Sequence, residues 1–175
     1  MKLSIVTKIP HSAQACYEAM RDEMPNLAKF MPNIEKIDVI ARDEGDDGVR
    51  LTNQWYAAGT EIPTLARPFV DPDRVFWLDH AHWFADEHRC KWALELGFLT
   101  DRVSCQGYTF FTSLSDDSCQ MEIDGELTLN LKGLVPRLMV GRATKGVEQF
   151  ILKMMEPNYR RMGQSLTDFL NSRSK

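Results

Sequence analysis

The chain is short of most features that announce a function. It has four cysteines in 175 residues, and Cys16, Cys90, Cys105 and Cys119 never fall into a CxxC spacing. That excludes zinc-ribbon and thioredoxin-type sites and leaves small buried apolar side chains in a reducing compartment. No stretch approaches the roughly 20 apolar residues of a spanning helix. At the N-terminus Lys2 and Lys8 bracket only five residues, too few for a signal peptide, so a cytoplasmic location is expected. Positive charge is not in excess: 21 Lys+Arg face 25 Asp+Glu, a net charge of −4, which argues against a nucleic-acid partner. GxSxG, P-loop, GxGxxG and HExxH patterns are missing, so no cofactor is expected. Without repeats, low-complexity tracts or linkers, residues 1–175 read as one domain.

What is present is an ordinary globular composition, 43% hydrophobic and 10% aromatic, enough for one core. Alternation predicts strands over 2–9, 34–42, 49–58, 75–84, 88–96, 103–113 and 119–131. Ser12 is a good N-cap for a helix over 13–22, and a second short helix ends before Pro32. An acidic turn, 43–48, separates the second and third strands. Residues 59–74, with three prolines and a glycine, form the longest irregular segment, and such segments are often functional. From Leu134 the period becomes helical: Leu138, Met139, Val147, Phe150, Ile151, Met154, Met155, Tyr159, Met162, Leu166, Phe169 and Leu170 recur at steps of three and four. Pro157 is expected to kink that helix.

The last strands can be paired from their alternation. In 119–131 the odd positions are apolar and most even ones polar, giving one dry and one wet face. Folding 103–113 back across Ser115 to Asp117 sets Phe111 opposite Met121, Thr109 opposite Ile123 and Gly107 opposite Gly125, with Trp92 beside Gly107. Two adjacent glycines on the dry face leave no side chain above the sheet. Either Trp92 or the long helix fills that gap, or a cavity remains; both hold if Trp92 forms one wall.

The polar candidates lie in DHAHWFADEH. His80, His82 and His88 suit zinc by type, but no metal is expected, because strand histidines more often hydrogen-bond singly. Two registers are open for 75–84. One turns Phe76, Leu78, His80, His82 and Phe84 inward; the other turns Val75, Trp77, Asp79, Ala81 and Trp83 inward. Either puts a titratable group on an apolar wall. The histidines are preferred, against the alternative that they lie on the wet face beside Arg89 and Lys91. Trp55, Trp77, Trp83 and Trp92 offer stacking surfaces or plain core. Met139, Met154, Met155 and Met162, with Met121 on the sheet, offer an adaptable apolar surface. Arg137, Arg142, Lys145, Lys153, Arg160, Arg161 and Arg173 make a solvated helix face or, in the sharper reading, a transient membrane contact.

The order strand, two short helices, six antiparallel strands and a long C-terminal helix resembles the START-like superfamily. So do the DPDRV turn (Asp71 to Val75) before a strand with Trp77, and GLVPRL (Gly133 to Leu138) at the last helix. The resemblance implies an α+β helix-grip fold, a seven-stranded antiparallel sheet wrapped around the C-terminal helix. Between them it implies a tunnel for a lipid, sterol, polyketide or other hydrophobic ligand, with 43–48, 59–74 and the kinked helix gating its mouth. The expected function is therefore binding of a hydrophobic or amphipathic small molecule for transport or presentation. The expected ligand contacts are Trp55, Trp77, Trp92, Thr109, Phe111, Met121, Val147, Phe150, Ile151 and Met154. The alternative is a cyclase/aromatase- or hydrolase-type enzyme with His80 or His82 as general base and Tyr108 or Tyr159 as donor. Oligomeric state is not legible.

Overall fold

The computed structural model describes residues 1–58, 64, 67, 69, 71 and 75–173. The chain runs β1 (Lys2–Ile9), α1 (Ala13–Asp22), α2 (Met24–Leu27), a 3-10 turn (Ala28–Phe30), β2 (Ile34–Gly45) and β3 (Gly48–Ala57). It continues through β4 (Phe76–Phe84), β5 (Arg89–Leu96), β6 (Val103–Ser115), β7 (Ser118–Leu129) and α3 (Val140–Arg173). The strands form one antiparallel sheet in the order β1-β7-β6-β5-β4-β3-β2. α3 lies in its concave face and buries Val147, Phe150, Ile151, Met154, Met162, Leu166 and Phe169. This is the α+β helix-grip arrangement, with its two short helices after the first strand.

Ser12 caps α1 as its type demands: its Oγ accepts from Ala15 N at 3.2 Å. α1 closes one end of the sheet, where Tyr17 Oη donates to Phe84 O at 2.7 Å and packs edge-on against Trp83. The far end of α3 is fixed by Ser165 Oγ donating to Phe30 O at 2.8 Å. Beside it Gly163 lets α3 approach β1, because a Cβ there would stand 2.4 Å from Thr7 Cγ2. Gly163→Ala should therefore cost about 1–3 kcal/mol in urea unfolding, and Thr7→Ser, by removing that methyl, should restore part of it.

Pairing of β5, β6 and β7 follows the alternation: Gly107 faces Gly125, Phe111 faces Met121, and Trp92 faces Gly107. Three expectations need correction. α3 begins at Val140, not at Leu134, and Leu138 and Met139 are exposed (97% and 55%) instead of joining the buried stripe. Residues 43–45 extend β2, leaving a tight turn at Asp46 and Asp47. That turn and Ala58, where the next connection starts, sit at opposite ends of β3. Residues 59–74 otherwise lie outside the described residues, apart from Thr64, Arg67, Phe69 and Asp71. Pro157 is accommodated inside α3, which stays one helix.

Candidate functional site

The third correction concerns β4. Trp83 pairs with Cys90 and Trp77 with Leu96, which turns Trp77, Asp79, Ala81 and Trp83 into the core. The histidines are outside. His80 is exposed, with Nδ1 3.3 Å from Thr52 Oγ1 and Nε2 3.3 Å from Glu95 Oε2. His82 stacks on Phe84 and lies 3.5 Å from Asp47. His88 hydrogen-bonds Gln14 on α1 and does not join them. The reason is one of polar burial. The apolar areas of the two faces are similar, Trp77, Ala81 and Trp83 against Phe76, Leu78 and Phe84, but the observed face takes one polar side chain inside, Asp79, where the other would take both His80 and His82. Tyr108 also faces away from the core, stacked on Phe110 with Arg89 nearby. Neither the histidines nor Tyr108 reaches the interior.

Tyr159 does. It stacks on Trp92 with centroids 5.8 Å apart, and Trp92 in turn lies over the paired glycines. A Cβ on Gly107 would stand 2.6 Å from Trp92 Cζ2, and one on Gly125 2.5 Å from Cη2. The gap read from the sequence is thus filled by Trp92, which becomes a wall. Beside it an interior hollow of about 40 Å³ remains, with space for roughly two or three waters. The sheet contributes Trp55, Trp77, Asp79, Trp83, Trp92 and Thr109 to its lining, so all four tryptophans of the chain face it. α3 contributes Met155, Asn158, Tyr159 and Met162, one face at helical spacing, and the short helices contribute Met20 and Met24. A second hollow of about 30 Å³ lies on the other side of Trp92 and Tyr159 and is reached by Ile151. Phe111, Met121, Val147, Phe150 and Met154 are buried in the surrounding core and form no part of either wall.

The walls are apolar, yet they carry polar atoms with no hydrogen-bond partner among the described residues. Trp55 Nε1, Trp83 Nε1, Trp92 Nε1, Asp79 Oδ1 and Asn158 Oδ1 are all buried and unpaired, as is Asn53 Oδ1 on the strand next to Asp79. Leaving such an atom unsatisfied costs about 1–3 kcal/mol. Several around one hollow are a ready set of donors and acceptors for a molecule placed there. Asn158 is anchored, its Nδ2 donating to Met154 O at 3.1 Å.

Asp79 is the electrostatic centre. Burial pushes its carboxyl up to about 7, against the weaker opposing pulls of the His80 charge, Asn53 and the Trp55 indole. The Trp55 indole N–H is close enough to the carboxyl to favour its ionised form, though short of good hydrogen-bond geometry. Near neutral pH the group therefore exists in both forms, able to donate when protonated and accept when ionised. Burial also holds the Tyr159 phenol well above its ordinary range, with the Cys105, Asp79 and Cys90 charges adding to it. Tyr159 thus stays a neutral donor.

Sequence reasoning reaches Asp79 as one of two alternatives but misses Met20, Met24 and Asn158. The signal for Asn158 is a polar residue set between Met155 and Met162 on the buried stripe. Met20 and Met24 depend on how α1 docks, which no local pattern encodes.

No protein-family model matches the chain, and comparison with curated proteins finds no match. Solved structures do resemble it. A protein of Thermus thermophilus superposes with a TM-score of 0.68 at 17% identity, covering 100% of both chains. The Zhui aromatase/cyclase of Streptomyces sp. R1128 gives a TM-score of 0.69 at 10% identity, covering 100% of this chain and 96% of that one. The di-domain aromatase/cyclase BexL of the BE-7585A biosynthetic pathway gives 0.61 at 12% identity, with 98% of this chain matching 46% of that one. At such identities the likeness speaks for architecture alone: the chain shares the helix-grip fold of these structures.

Proposed function

We propose that the chain binds a hydrophobic, ring-bearing small molecule with hydroxyl or carbonyl groups on its edge, held between the sheet and α3. The observation that carries this is the cluster of unpaired buried polar atoms around one aromatic hollow. Three indole N–H groups suit ligand carbonyls, and Asp79 and Asn158 suit ligand hydroxyls. A hollow of about 40 Å³ must widen several-fold to take such a ligand, since ligand sites occupy about 300 Å³ or more. Met20, Met24, Met155 and Met162 supply that give, because an unbranched thioether repacks at low cost.

A second reading is an aromatase/cyclase-type enzyme with Asp79 as general acid/base. It is favoured by the position of that carboxyl near neutrality inside an apolar wall, and it agrees with the activity named for Zhui and BexL. The two readings share one site and differ in whether the bound molecule leaves unchanged.

All four tryptophans line the hollow, so intrinsic fluorescence reports on it directly. Titration with a hydroxylated naphthoquinone should quench that emission saturably, with a micromolar midpoint. Asp79→Ala should weaken binding at least about tenfold, the worth of one hydrogen bond to a charged group. His80→Ala and His82→Ala should leave it unchanged. Denaturing mass spectrometry of protein purified from cells should detect a bound hydrophobic molecule. Absence of both quenching and co-purifying material would refute the binding reading. Recovery of the probe chemically altered, lost in Asp79→Asn, selects the enzyme.

A further inference from the structure

We infer that the segment leading into α3, residues 132–145, is a reversible docking surface for an anionic lipid bilayer. The inference stands on residues separate from the interior hollow. Between Glu126 and Glu148 the chain carries Lys132, Arg137, Arg142 and Lys145 and no acidic residue, although the whole protein has a net charge of −4. All four cations are exposed, and among the described residues none is ion-paired. Arg102 joins them from the β5–β6 turn, its Nη1 donating to Lys132 O at 3.3 Å, with Asp101 beside it.

The same segment presents Leu134, Leu138 and Met139 to solvent at 45%, 97% and 55% exposure. Leu138 is the most exposed large apolar side chain described, and it follows Arg137 directly. Scattered single leucines mean little, but three within six residues, rimmed by unpaired cations, make an amphipathic patch. The charge is also placed against the helix's own preference. An α-helix N-terminus favours acidic side chains, and the first turn of α3 has none while holding Arg142. An external layer of anions satisfies both the cations and the helix end. Lipid phosphates do so while accepting the leucines between them, which a nucleic acid would not. The contact proposed is a peripheral one, made by exposed side chains; no helix among the described residues is long and apolar enough to cross a membrane.

Co-sedimentation of the whole protein with vesicles tests this. Protein should pellet with phosphatidylcholine/phosphatidylglycerol vesicles in low salt and stay in solution with phosphatidylcholine alone. It should be released in about 1 M salt, where the Debye length falls to about 3 Å. Arg137→Glu with Arg142→Glu should lower partitioning at least about 25-fold, about fivefold per cation removed. Leu138→Asp should also release the protein, with melting temperature and tryptophan emission unchanged, because that side chain touches no core. The inference is overturned if the parent protein ignores anionic vesicles or binds neutral ones equally well. It is also overturned if the variants pellet like the parent, or if light scattering shows a dimer that Leu138→Asp breaks while vesicle binding is absent.

Discussion

Asp79→Asn should make the protein more stable in alkaline solution while weakening its binding. The folded carboxyl titrates at about 7 and the unfolded one near 3.8, so between those values the folded chain holds a proton that the unfolded chain has released. Stability from this group is complete in acid, falls as pH rises through the window, and levels off above it. About three pH units at 1.36 kcal/mol each amount to about 4 kcal/mol. Asparagine matches the carboxyl in size and carries no charge, so it removes that slope. In urea melts the difference between variant and parent should open by about 4 kcal/mol from pH 4 to pH 8. The melting temperature at pH 8 should rise on the order of 10 °C in the variant. Parallel curves for the two proteins would show that the Asp79 carboxyl is solvated when ionised, and the acid/base reading would go with them. A group that costs stability and improves binding is the expected mark of a site.

The second large effect concerns the indole over the glycines. Trp92→Ala removes a side chain packed between Gly107–Gly125 and the Tyr159 ring and should cost about 3–5 kcal/mol. Gly125→Ala in the parent forces a methyl to 2.5 Å from Trp92 Cη2 and should cost about 1–3 kcal/mol. In the Trp92→Ala background that methyl enters vacated space, 3.2 Å from Gln106 O, and should be nearly neutral. The cycle then shows a coupling of about 1–3 kcal/mol. Simple additivity would mean that Gly125 is required by the backbone and not by Trp92. Gly107 is a poorer choice for this cycle, because its added Cβ would meet Asp124 O at 2.1 Å whatever residue stands at 92.

The legible and illegible parts of the fold separate on physical lines. β7 alternates cleanly, apolar at Cys119, Met121, Ile123 and Leu127 and polar between them, and a one-residue slip would expose the whole set. Its pairing with β6, and hence the glycine pair under Trp92, could be read directly. β4 could not. Its sequence FWLDHAHWF has apolar residues on both faces, so alternation alone does not say whether Trp77 and Trp83 or Phe76, Leu78 and Phe84 go inside. The pairing of Trp83 with Cys90 turns the tryptophan face inward, with one polar side chain on it instead of two, and Asp79 replaces the histidines as the interior titratable group. Leu138 and Met139 fit the helical period yet precede the helix. A three- or four-residue spacing fixes a face only once the backbone is helical there, and Pro136 lies four residues before α3 begins. The hollow's floor from α1 and α2 arises from contacts between distant parts of the chain, which local spacing does not carry.

The most direct measurement is the indole region of a ¹H–¹⁵N correlation spectrum, recorded as a hydroxylated naphthoquinone is added. Trp83 and Trp92 each hold an Nε1–H without a partner among the described residues, and Trp55 Nε1–H has only the Asp79 carboxyl beside it. A ligand seated in the hollow should move more than one of these resonances downfield, saturably, and the shifts should shrink in Asp79→Ala. Indole resonances that stay fixed at saturating probe, in folded protein, would contradict the account.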